Sequence, residues 1–454
     1  MSDQGVTRTL ARWAVECRLA DIPQDVRDQG VRTFVNWLGC AVGGVSHETV
    51  DRALDAVRLF SGPAQATVIG RGDRLDALHA ALINGVSSHV LDYDDTHLKT
   101  IIHPAGPVAS AALAVAEMQP VSGADLLAAM IVGVEVECRI GNAVYPDHYD
   151  RGWHITGTAG VFGAAAAVGR LLGLDEQRMT WALGIAATQS SGLREMFGTM
   201  CKSFHPGRAA QNGALAAFLA KSGFDSSERG IEAPRGWANV VSTKQDYTEI
   251  TEGLGKTWEA GLNSYKPFAC GIVIHPTIDA CIQLREEIGD EVRNIEKVEL
   301  RTHPLVLELT GKTAPRTGLE GKFSVFHAAA TALLRGDGTP TAFTDEAVND
   351  PSIVELRGRV KAETDQSIHE DQVEMTVTFH DGRQVNRRIE HAIGSLDRPL
   401  TDEELDRKFI KQSEAILGKE GTERLLSAAW RFAEMDDVAE IARLSVPNGT
   451  ATSA

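Results

Sequence analysis

A segment of thirteen residues, from Asp92 to Pro104, holds a high density of side chains that can exchange protons or bind charged groups. Its sequence, DYDDTHLKTIIHP, contains three carboxylates, two histidines, one lysine and two threonines. An apolar-periodic helix is predicted to precede it, so these groups gather at the helix end and in the loop that follows. The arrangement fits the wall of a pocket, and it equally fits a helix end whose acids and histidine face water.

A second candidate is His154, which directly precedes a helix rich in glycine and alanine. The N-terminus of a helix favours anions and lowers the pKa of a nearby imidazole. His154 is therefore predicted to bind an anion or to act as an acid or base. The alternative is that it caps the helix or packs on Trp153.

Two lysines extend this set. Lys202 stands among apolar residues before another small-residue helix, and Lys266 lies between an aromatic residue and a proline. Lys266 also falls on the predicted boundary between two domains, where ligands often bind, and there it can hold a carboxylate or lose its proton when desolvated. An exposed loop position is the alternative for Lys266. Arg194 forms with Glu195 either an exposed pair or a pocket pair.

Together, His103, His154, Lys202 and Lys266 form a set of cationic and acid–base groups in a chain whose formal net charge is −17. Such a set suits a small polycarboxylate. Removal of a proton next to a carboxylate leaves an enolate-like charge, which cationic donors stabilise while a tuned side chain takes the proton. The sequence has no Cys-x-x-Cys, His-x-x-x-His or glycine-rich phosphate loop. It therefore contains none of the common motifs for a zinc site, an iron–sulfur cluster or a nucleotide cofactor.

The composition bounds the class of protein. A length of 454 residues exceeds what one hydrophobic core usually supports and predicts two domains. The negative net charge argues against nucleic acid or an anionic membrane as a partner. The N-terminus lacks a basic segment followed by an apolar one, and the six cysteines are scattered. We therefore expect a cytoplasmic protein with reduced thiols, no secretory signal and no membrane span.

The elements that must position these groups follow from periodicity. Helical patterns dominate the first half of the chain. Alternating residues then predict strands at 295–300 and 373–379, with a hairpin turn at Asp381-Gly382, and a capping box at Thr401 opens a return to helices. The predicted fold class is mainly α: a large all-helical domain built from both chain ends, residues 1–270 and 396–454, with a smaller inserted α+β lid domain, residues 271–395.

Eight short motifs follow one another over nearly the whole chain: NG at 84–85 with DYDDT at 92–96, HPAG at 103–106, GVEVECRIG at 133–141, GWH at 152–154, Lys202 with HPGRAA at 205–210, KP at 266–267, GKFS at 321–324 and PLTDEEL at 399–405. Their ordered set resembles the MmgE/PrpD family, which includes 2-methylcitrate dehydratase, cis-aconitate decarboxylase and iminodisuccinate epimerase. The resemblance implies a helical domain built from both chain ends, an inserted lid domain, a homodimer, and neither metal nor organic cofactor.

The resemblance also implies roles for individual residues. Lys202 or His154 is expected to transfer the proton as base or acid. His103 and Lys266 are expected to bind carboxylates, His103 within the catalytic set, and Asp92 to orient a neighbouring donor. The other residues expected to bind or border the substrate are Thr96, His275, His327, Arg194 and Tyr145.

One departure from the family pattern is His327, which stands where dehydratases and decarboxylases of the family carry a tyrosine. An imidazole that can be cationic near neutral pH replaces a phenol, while the proton-abstracting residues remain. We therefore predict a metal-independent hydro-lyase that takes a proton next to a carboxylate of a small di- or tricarboxylate and eliminates water. The alternatives are epimerisation of an iminodisuccinate-like substrate, decarboxylation of the cis-aconitate type, and a non-catalytic carboxylate-binding protein.

Overall fold

The computed structural model describes residues 5–447, and α-helices form most of it. No helix within this range is both long enough and apolar enough to cross a membrane. The helices in the first 270 residues are α1 (Val6–Glu16), α2 (Gln24–Gly44), α3 (Glu48–Arg58), α4 (Ala77–Val90), α5 (Ala105–Ala116), α6 (Gly123–Val144), α7 (Asp147–Asp150), α8 (Ile155–Leu171), α9 (Glu176–Thr188), α10 (Cys201–Lys221), α11 (Trp237–Val241) and α12 (Thr248–Thr251).

The remaining elements alternate helices with short strands. The helices are α13 (His275–Ile288), α14 (Pro304–Thr310), α15 (Gly318–Gly321), α16 (Val325–Arg335), α17 (Asp345–Asn349), α18 (Pro351–Arg357), α19 (Asp402–Trp430) and α20 (Ala439–Leu444). The strands within residues 5–447 are β1 (Ala66–Thr67), β2 (Arg74–Leu75), β3 (Asp95–His97), β4 (Asn263–Tyr265), β5 (Ile295–Thr302), β6 (Val360–Thr364), β7 (Val373–Phe379) and β8 (Gln384–Ile389).

Small residues let the central helices approach closely. Helices α4, α5, α8 and α10 pack on one another, and α5 is buried along its whole length. Where α4 crosses α10, a Cβ atom added to Gly85 would lie 2.5 Å from the Cα atom of Gly207. Such a distance is far inside van der Waals contact, so this crossing requires glycine on both helices. It fixes the N-terminal half of α10, which carries Lys202, against the end of α4.

The larger sheet has four strands in the order β6-β5-β7-β8, with β5 parallel to β6 and antiparallel to β7. In β7 the residues alternate between buried and half-buried, as the sequence pattern predicts for a strand covered on one face. The turn from β7 to β8 contains Gly382 with φ at +83°, the left-handed conformation expected there. Helix α13 packs on the strands of this sheet and on α16.

Two hydrophobic cores divide the chain. The first contains residues between 10 and 260 together with residues 409–442, so both chain ends contribute to it. The second is formed by residues 268–392 with Cys40 and Tyr93 from the helical part. The predicted mainly α fold is thereby confirmed, while the exact domain boundaries stay a prediction. A two-stranded ladder of β3 and β4 pairs Asp95 with Tyr265 and joins the segment 92–104 to Lys266.

Candidate active site

A cavity lies where the two cores meet. Its walls come from the helical part and from the loops around α13, α14 and α16. All four residues assigned a catalytic role from the sequence line it, and Lys266 lines it with them: Asp92, His103, His154, Lys202 and Lys266. Aromatic and aliphatic side chains complete the wall, among them Tyr149, Phe197, Leu309 and Phe323.

Asp92 is the centre of charge in this cavity. Its Oδ1 atom lies 3.0 Å from Nζ of Lys202 and 2.6 Å from Nζ of Lys266. Burial alone would raise the pKa of Asp92, but the two ammonium groups outweigh burial and hold that pKa well below its ordinary value. The backbone of Asp92 adopts a φ of +52°, in the left-handed region that aspartate tolerates better than most residues. Asp92 is therefore an ionised carboxylate held between two cations.

The two lysines differ in how much hydrogen-bonding capacity they retain. Nζ of Lys266 donates to Oδ1 of Asp92 at 2.6 Å, to the Asp92 carbonyl at 3.3 Å and to the Cys270 carbonyl at 3.1 Å. These three acceptors match its three N–H groups. Nζ of Lys202 contacts only Asp92 among the acceptors of the described residues, and it faces the rings of Phe197 and Phe323 at 5.6 and 5.5 Å. Lys202 therefore keeps donors for a ligand.

The pKa values of the two lysines move in opposite directions. Burial lowers the pKa of Lys202, and the carboxylate of Asp92 offsets this only in part. Burial acts on Lys266 in the same sense, but Asp92 reverses it and the pKa of Lys266 is raised. Lys202 is thus the lysine better suited to transfer a proton near neutral pH, and Lys266 is the one better suited to hold Asp92 ionised.

His103 presents a free lone pair. Its Nδ1 atom lies 2.7 Å from the carbonyl oxygen of Asp95, which can only accept a hydrogen bond, so Nδ1 carries the hydrogen. Burial lowers the pKa of His103 well below its ordinary value, although Asp94 opposes the shift. The ring is therefore neutral, and Nε2 is its hydrogen-bond acceptor. A neutral imidazole with its tautomer fixed in this way is a suitable proton acceptor.

His154 occupies the position before α8 but does not cap it, since its side chain makes no hydrogen bond to the first turn. Instead its Nδ1 atom lies 2.8 Å from Nδ1 of His205, so one of these nitrogens donates and the other accepts. Burial, followed by His205, lowers the pKa of His154 well below its ordinary value. The ring stands edge-on to Phe197, with ring centroids 5.0 Å apart. His154 is thus a second neutral imidazole on the cavity wall.

Two models of the MmgE/PrpD family match the chain: the N-terminal domain over residues 8–250 and the C-terminal domain over residues 268–432. The chain belongs to the MmgE/PrpD family. The family resemblance seen in the sequence is therefore confirmed.

Named relatives in this family act on small polycarboxylates, or are named for likeness to such enzymes. The chain is 28% identical to a cis-aconitate decarboxylase-like protein of Aspergillus oryzae, with 97% of each chain covered. It is 27% identical to a cis-aconitate decarboxylase of Aspergillus terreus, with 89% of this chain and 88% of the relative covered. It is 24% identical to a 2-methylcitrate dehydratase of Salmonella typhimurium, with 80% of this chain and 81% of the relative covered.

The sequence analysis did not identify His89, whose ring lies beside those of His103 and His154. Its Nδ1 atom lies 2.6 Å from Oδ2 of Asp94, and Nε2 has no partner among the described residues. Its ring centroid is 4.7 Å from that of His103 and 6.0 Å from that of His154. The signal was available, because a histidine at the buried end of the largely apolar helix α4 needs a polar partner.

These three histidines are also the residues that could hold a metal ion. One ring nitrogen from each of His89, His103 and His154 lies within 4.8 Å of the others. Imidazole suits several transition metals, and Asp94 behind His89 resembles the carboxylate that orients many metal-binding histidines. No spacing motif in the sequence indicates this, since the three histidines are 14 and 51 positions apart along the chain. That the protein needs no metal stays a prediction.

Three of the residues assigned to substrate binding lie around the cavity without lining it. Thr96, in β3, places Oγ1 3.3 Å from Nδ1 of His103 and so borders the back of that ring. Arg194 lines a neighbouring cavity that shares two wall residues with this one. Its guanidinium lies 4.2 Å above the ring of Tyr149, and its Nη2 atom donates to Glu308 at 2.6 Å. Tyr145 ends α6 and packs against Tyr149, with ring centroids 6.1 Å apart.

The remaining two candidates face other surroundings. His275 lines an adjoining cavity that shares Ile101 and Ile272 with the first, and both its ring nitrogens lack a partner among the described residues. His327 does not reach either cavity. It points into the second core, where Nε2 donates to the Ala342 carbonyl at 2.8 Å. The first turn of α16 turns the ring inward, so His327 is unavailable to a ligand in the cavity.

Proposed function

We propose that this protein is a lyase that transfers a proton at a carbon next to a carboxylate of a small di- or tricarboxylate. The observation that carries the proposal is the pairing, on one cavity wall, of a lysine with spare donors and neutral imidazoles. Lys202 supplies the cation, while His103 and His154 supply the neutral rings. Membership of a family that contains decarboxylases and dehydratases of such acids supports it.

Each group has a distinct task in this proposal. Lys202 pairs with the substrate carboxylate next to the reacting carbon and stabilises the enolate-like charge that develops there. Nε2 of His103 accepts the proton from carbon, and the resulting imidazolium is stabilised by the carbonyl of Asp95 that already binds Nδ1–H. Phe197 and Phe323 keep the surroundings apolar, which strengthens the attraction between Lys202 and the charge.

In a decarboxylation, the bond between carbon and the departing carboxylate breaks and carbon dioxide leaves. The electron pair enters the conjugated system of the remaining acid, and a protonated group then delivers a proton to carbon. The ammonium group of Lys202, which keeps free donors and whose pKa burial lowers, delivers that proton. The cis-aconitate decarboxylases among the relatives make cis-aconitate the first substrate to test.

Dehydration is the second candidate, favoured by the 2-methylcitrate dehydratases among the relatives. Here His103 removes the proton, the electron pair forms the new double bond, and hydroxide leaves the adjacent carbon as it takes a proton from the ammonium group of Lys202. The reaction releases one molecule of water from each substrate molecule. The same first step followed by return of the proton to the opposite face would give epimerisation.

The test is to incubate the purified protein separately with cis-aconitate and 2-methylcitrate in D2O and follow both by proton NMR. Release of carbon dioxide with deuterium in the product indicates decarboxylation, and appearance of a new alkene with loss of water indicates dehydration. Deuterium entry at the α-carbon without either product indicates epimerisation. Tight binding without turnover or deuterium exchange across a panel of di- and tricarboxylates contradicts the enzyme and favours a carboxylate-binding protein.

A further inference from the structure

Three successive backbone carbonyls, those of residues 91–93, each accept a hydrogen bond from a different buried lysine. Nζ of Lys322 lies 2.8 Å from the first carbonyl, Nζ of Lys266 lies 3.3 Å from the second, and Nζ of Lys408 lies 2.6 Å from the third. The side chains come from three distant parts of the chain, yet at most 5% of any of these residues is exposed. The sequence assigned a role to Lys266 alone.

Like Lys266, the other two lysines have further partners that fix their ammonium groups in place. Lys322 also donates to the carbonyl of Ala269 at 3.3 Å, and Lys408 also donates to Oδ1 of Asn36 at 2.6 Å. Lys408 further lies 4.2 Å above the ring of Tyr93. Neither has a carboxylate ion-pair partner within the described range of 5–447. Burying an ammonium group is costly, and a neutral donor would hold a carbonyl at lower cost.

The positive charges of the three lysines are favourable beside the C-terminal end of α4. Residue 91 is the C-terminal cap of α4, and the free carbonyls at a helix C-terminus favour cations. The next residue is Asp92, whose left-handed backbone needs support from its surroundings and whose carboxylate carries the contact to Lys202. The backbone held by the lysines is therefore the backbone that places the catalytic charge pair.

We propose that Lys322 and Lys408 are positioning residues that hold the carbonyls on either side of Asp92 and thereby fix its carboxylate and the ammonium of Lys202 for reaction. This inference rests on the proposed function. Lys408 gives the clearest test, because it lines none of the described cavities and so acts on a substrate through the residues it contacts, the backbone of residues 91–93 among them. Lys322 lines a small cavity with Lys202 and therefore also has access to a ligand.

The experiment compares Lys408→Met and Lys322→Met with Lys411→Met, a matched control on the exposed side of α19. Hydrogen exchange measured by mass spectrometry reports on the peptide that covers residues 89–96, where the amide of Asp92 donates to the carbonyl of His89 at 2.8 Å. In both test variants we expect exchange to rise at least 10-fold in this peptide while exchange in α8 stays within 2-fold. The control should match the wild type throughout.

Kinetics on cis-aconitate, or on whichever carboxylate the wild type turns over, provides the second measurement. We expect Lys408→Met to lower kcat at least 10-fold with KM within 3-fold, and Lys408→Arg to recover part of kcat because it keeps the charge. A uniform rise in exchange over the whole chain would mean that the lysine serves general stability only and would overturn the inference. Unchanged exchange at residues 89–96 would overturn it too, even if the wild type proved inactive on every carboxylate.

Discussion

At the scale of single residues, the site depends on how Asp92 divides its attraction between two lysines. Lys266 satisfies its donors within the protein, whereas Lys202 does not. The family resemblance assigned proton transfer to Lys202 and carboxylate binding to Lys266. The contacts with Asp92 add what the sequence could not indicate: Lys266 holds Asp92, whereas Lys202 keeps donors open to a substrate.

The first prediction concerns this difference. Lys202→Met removes the cation that faces the cavity but leaves Asp92 paired with Lys266. We expect kcat on the active carboxylate to fall about 100- to 1000-fold, the usual cost of losing one preorganised donor to a developing charge. The matched control is Lys221→Met at the exposed end of the same helix, which should change kcat less than 2-fold. A wild-type kcat in the Lys202→Met variant would show that Lys202 takes no part in the reaction.

The second prediction concerns Asp92 itself. Asp92→Asn keeps the shape of the side chain but leaves two buried ammonium groups without their shared carboxylate. Breaking a buried ion pair from one side typically costs about 3–5 kcal/mol. We expect a loss of that size in the free energy of unfolding, measured by urea denaturation at pH 7. Asp55→Asn, on the exposed face of α3, serves as the control and should change the same quantity by less than about 0.5 kcal/mol.

The third prediction follows from the buried histidines. Burial lowers the pKa of His148 and of His205 to about 4 and that of His275 to about 3. In the unfolded chain these rings titrate near 6.5, so the unfolded state binds more protons below that pH. Their stabilising effect is complete above about pH 6.5 and is lost as the pH falls towards 4.

Each of these rings should therefore reduce the free energy of unfolding by about 1 kcal/mol between pH 6.5 and 5.5. Urea denaturation at pH 7.5, 6.5 and 5.5 measures the sum. His148→Asn should flatten the dependence by the share of that one ring. Equal free energies of unfolding at pH 7.5 and 5.5 would show that these histidines take up protons in the native state as readily as in the unfolded one.

At the scale of elements, the sequence predicted helices and strands where their periodicity was strong. Strands β5 and β7, the turn before β8 and the start of α19 after Thr401 lie where the patterns placed them. Strand β6 had no such pattern, since only one of its residues is buried and its parallel pairing with β5 depends on a distant crossover. The predicted start of α10 was wrong: Lys202 was expected to precede this helix, but α10 begins at Cys201 and so includes Lys202.

The crossing of α4 and α10 gives the fourth prediction. A Cβ atom at position 85 would lie 2.5 Å from Gly207, so Gly85→Ala forces the two helices apart. Overpacking of this kind costs about 1–3 kcal/mol of unfolding free energy, and it should also lower kcat because α10 carries Lys202. Gly261→Ala is the control, since its Cβ would meet only Val26 at 3.5 Å. Denaturation measures the free energy of unfolding of the two variants, and kinetics measures their kcat. Equal losses of both quantities in Gly85→Ala and Gly261→Ala would contradict this prediction.

At the scale of the whole molecule, the sequence predicted that an acidic protein must concentrate cationic groups locally in order to bind an anion. It could not predict the path by which an anion reaches them. The neighbouring cavity that contains Arg194 is lined by three cationic and three anionic side chains and so provides no cationic funnel: Arg151, Arg194, Lys312, Asp150, Glu195 and Glu308. The attraction for an anion is therefore confined to the buried groups around Lys202.

The fifth prediction follows from this distribution of charge. A substrate with two or three carboxylates approaches a protein of formal charge −17 and is repelled before it meets Lys202. Salt screens interactions over distances beyond about 8 Å at 0.15 M, whereas it affects the buried contact with Lys202 much less. Raising sodium chloride from 10 to 150 mM should therefore lower KM, contrary to the rise expected of an enzyme that steers anions by a cationic surface. Initial rates at several ionic strengths, with sodium acetate as a second salt to reveal competition at Lys202, measure the effect. A KM that rises equally with both salts would mean that long-range attraction dominates. The charges of the cavity that contains Arg194 would then not balance in solution.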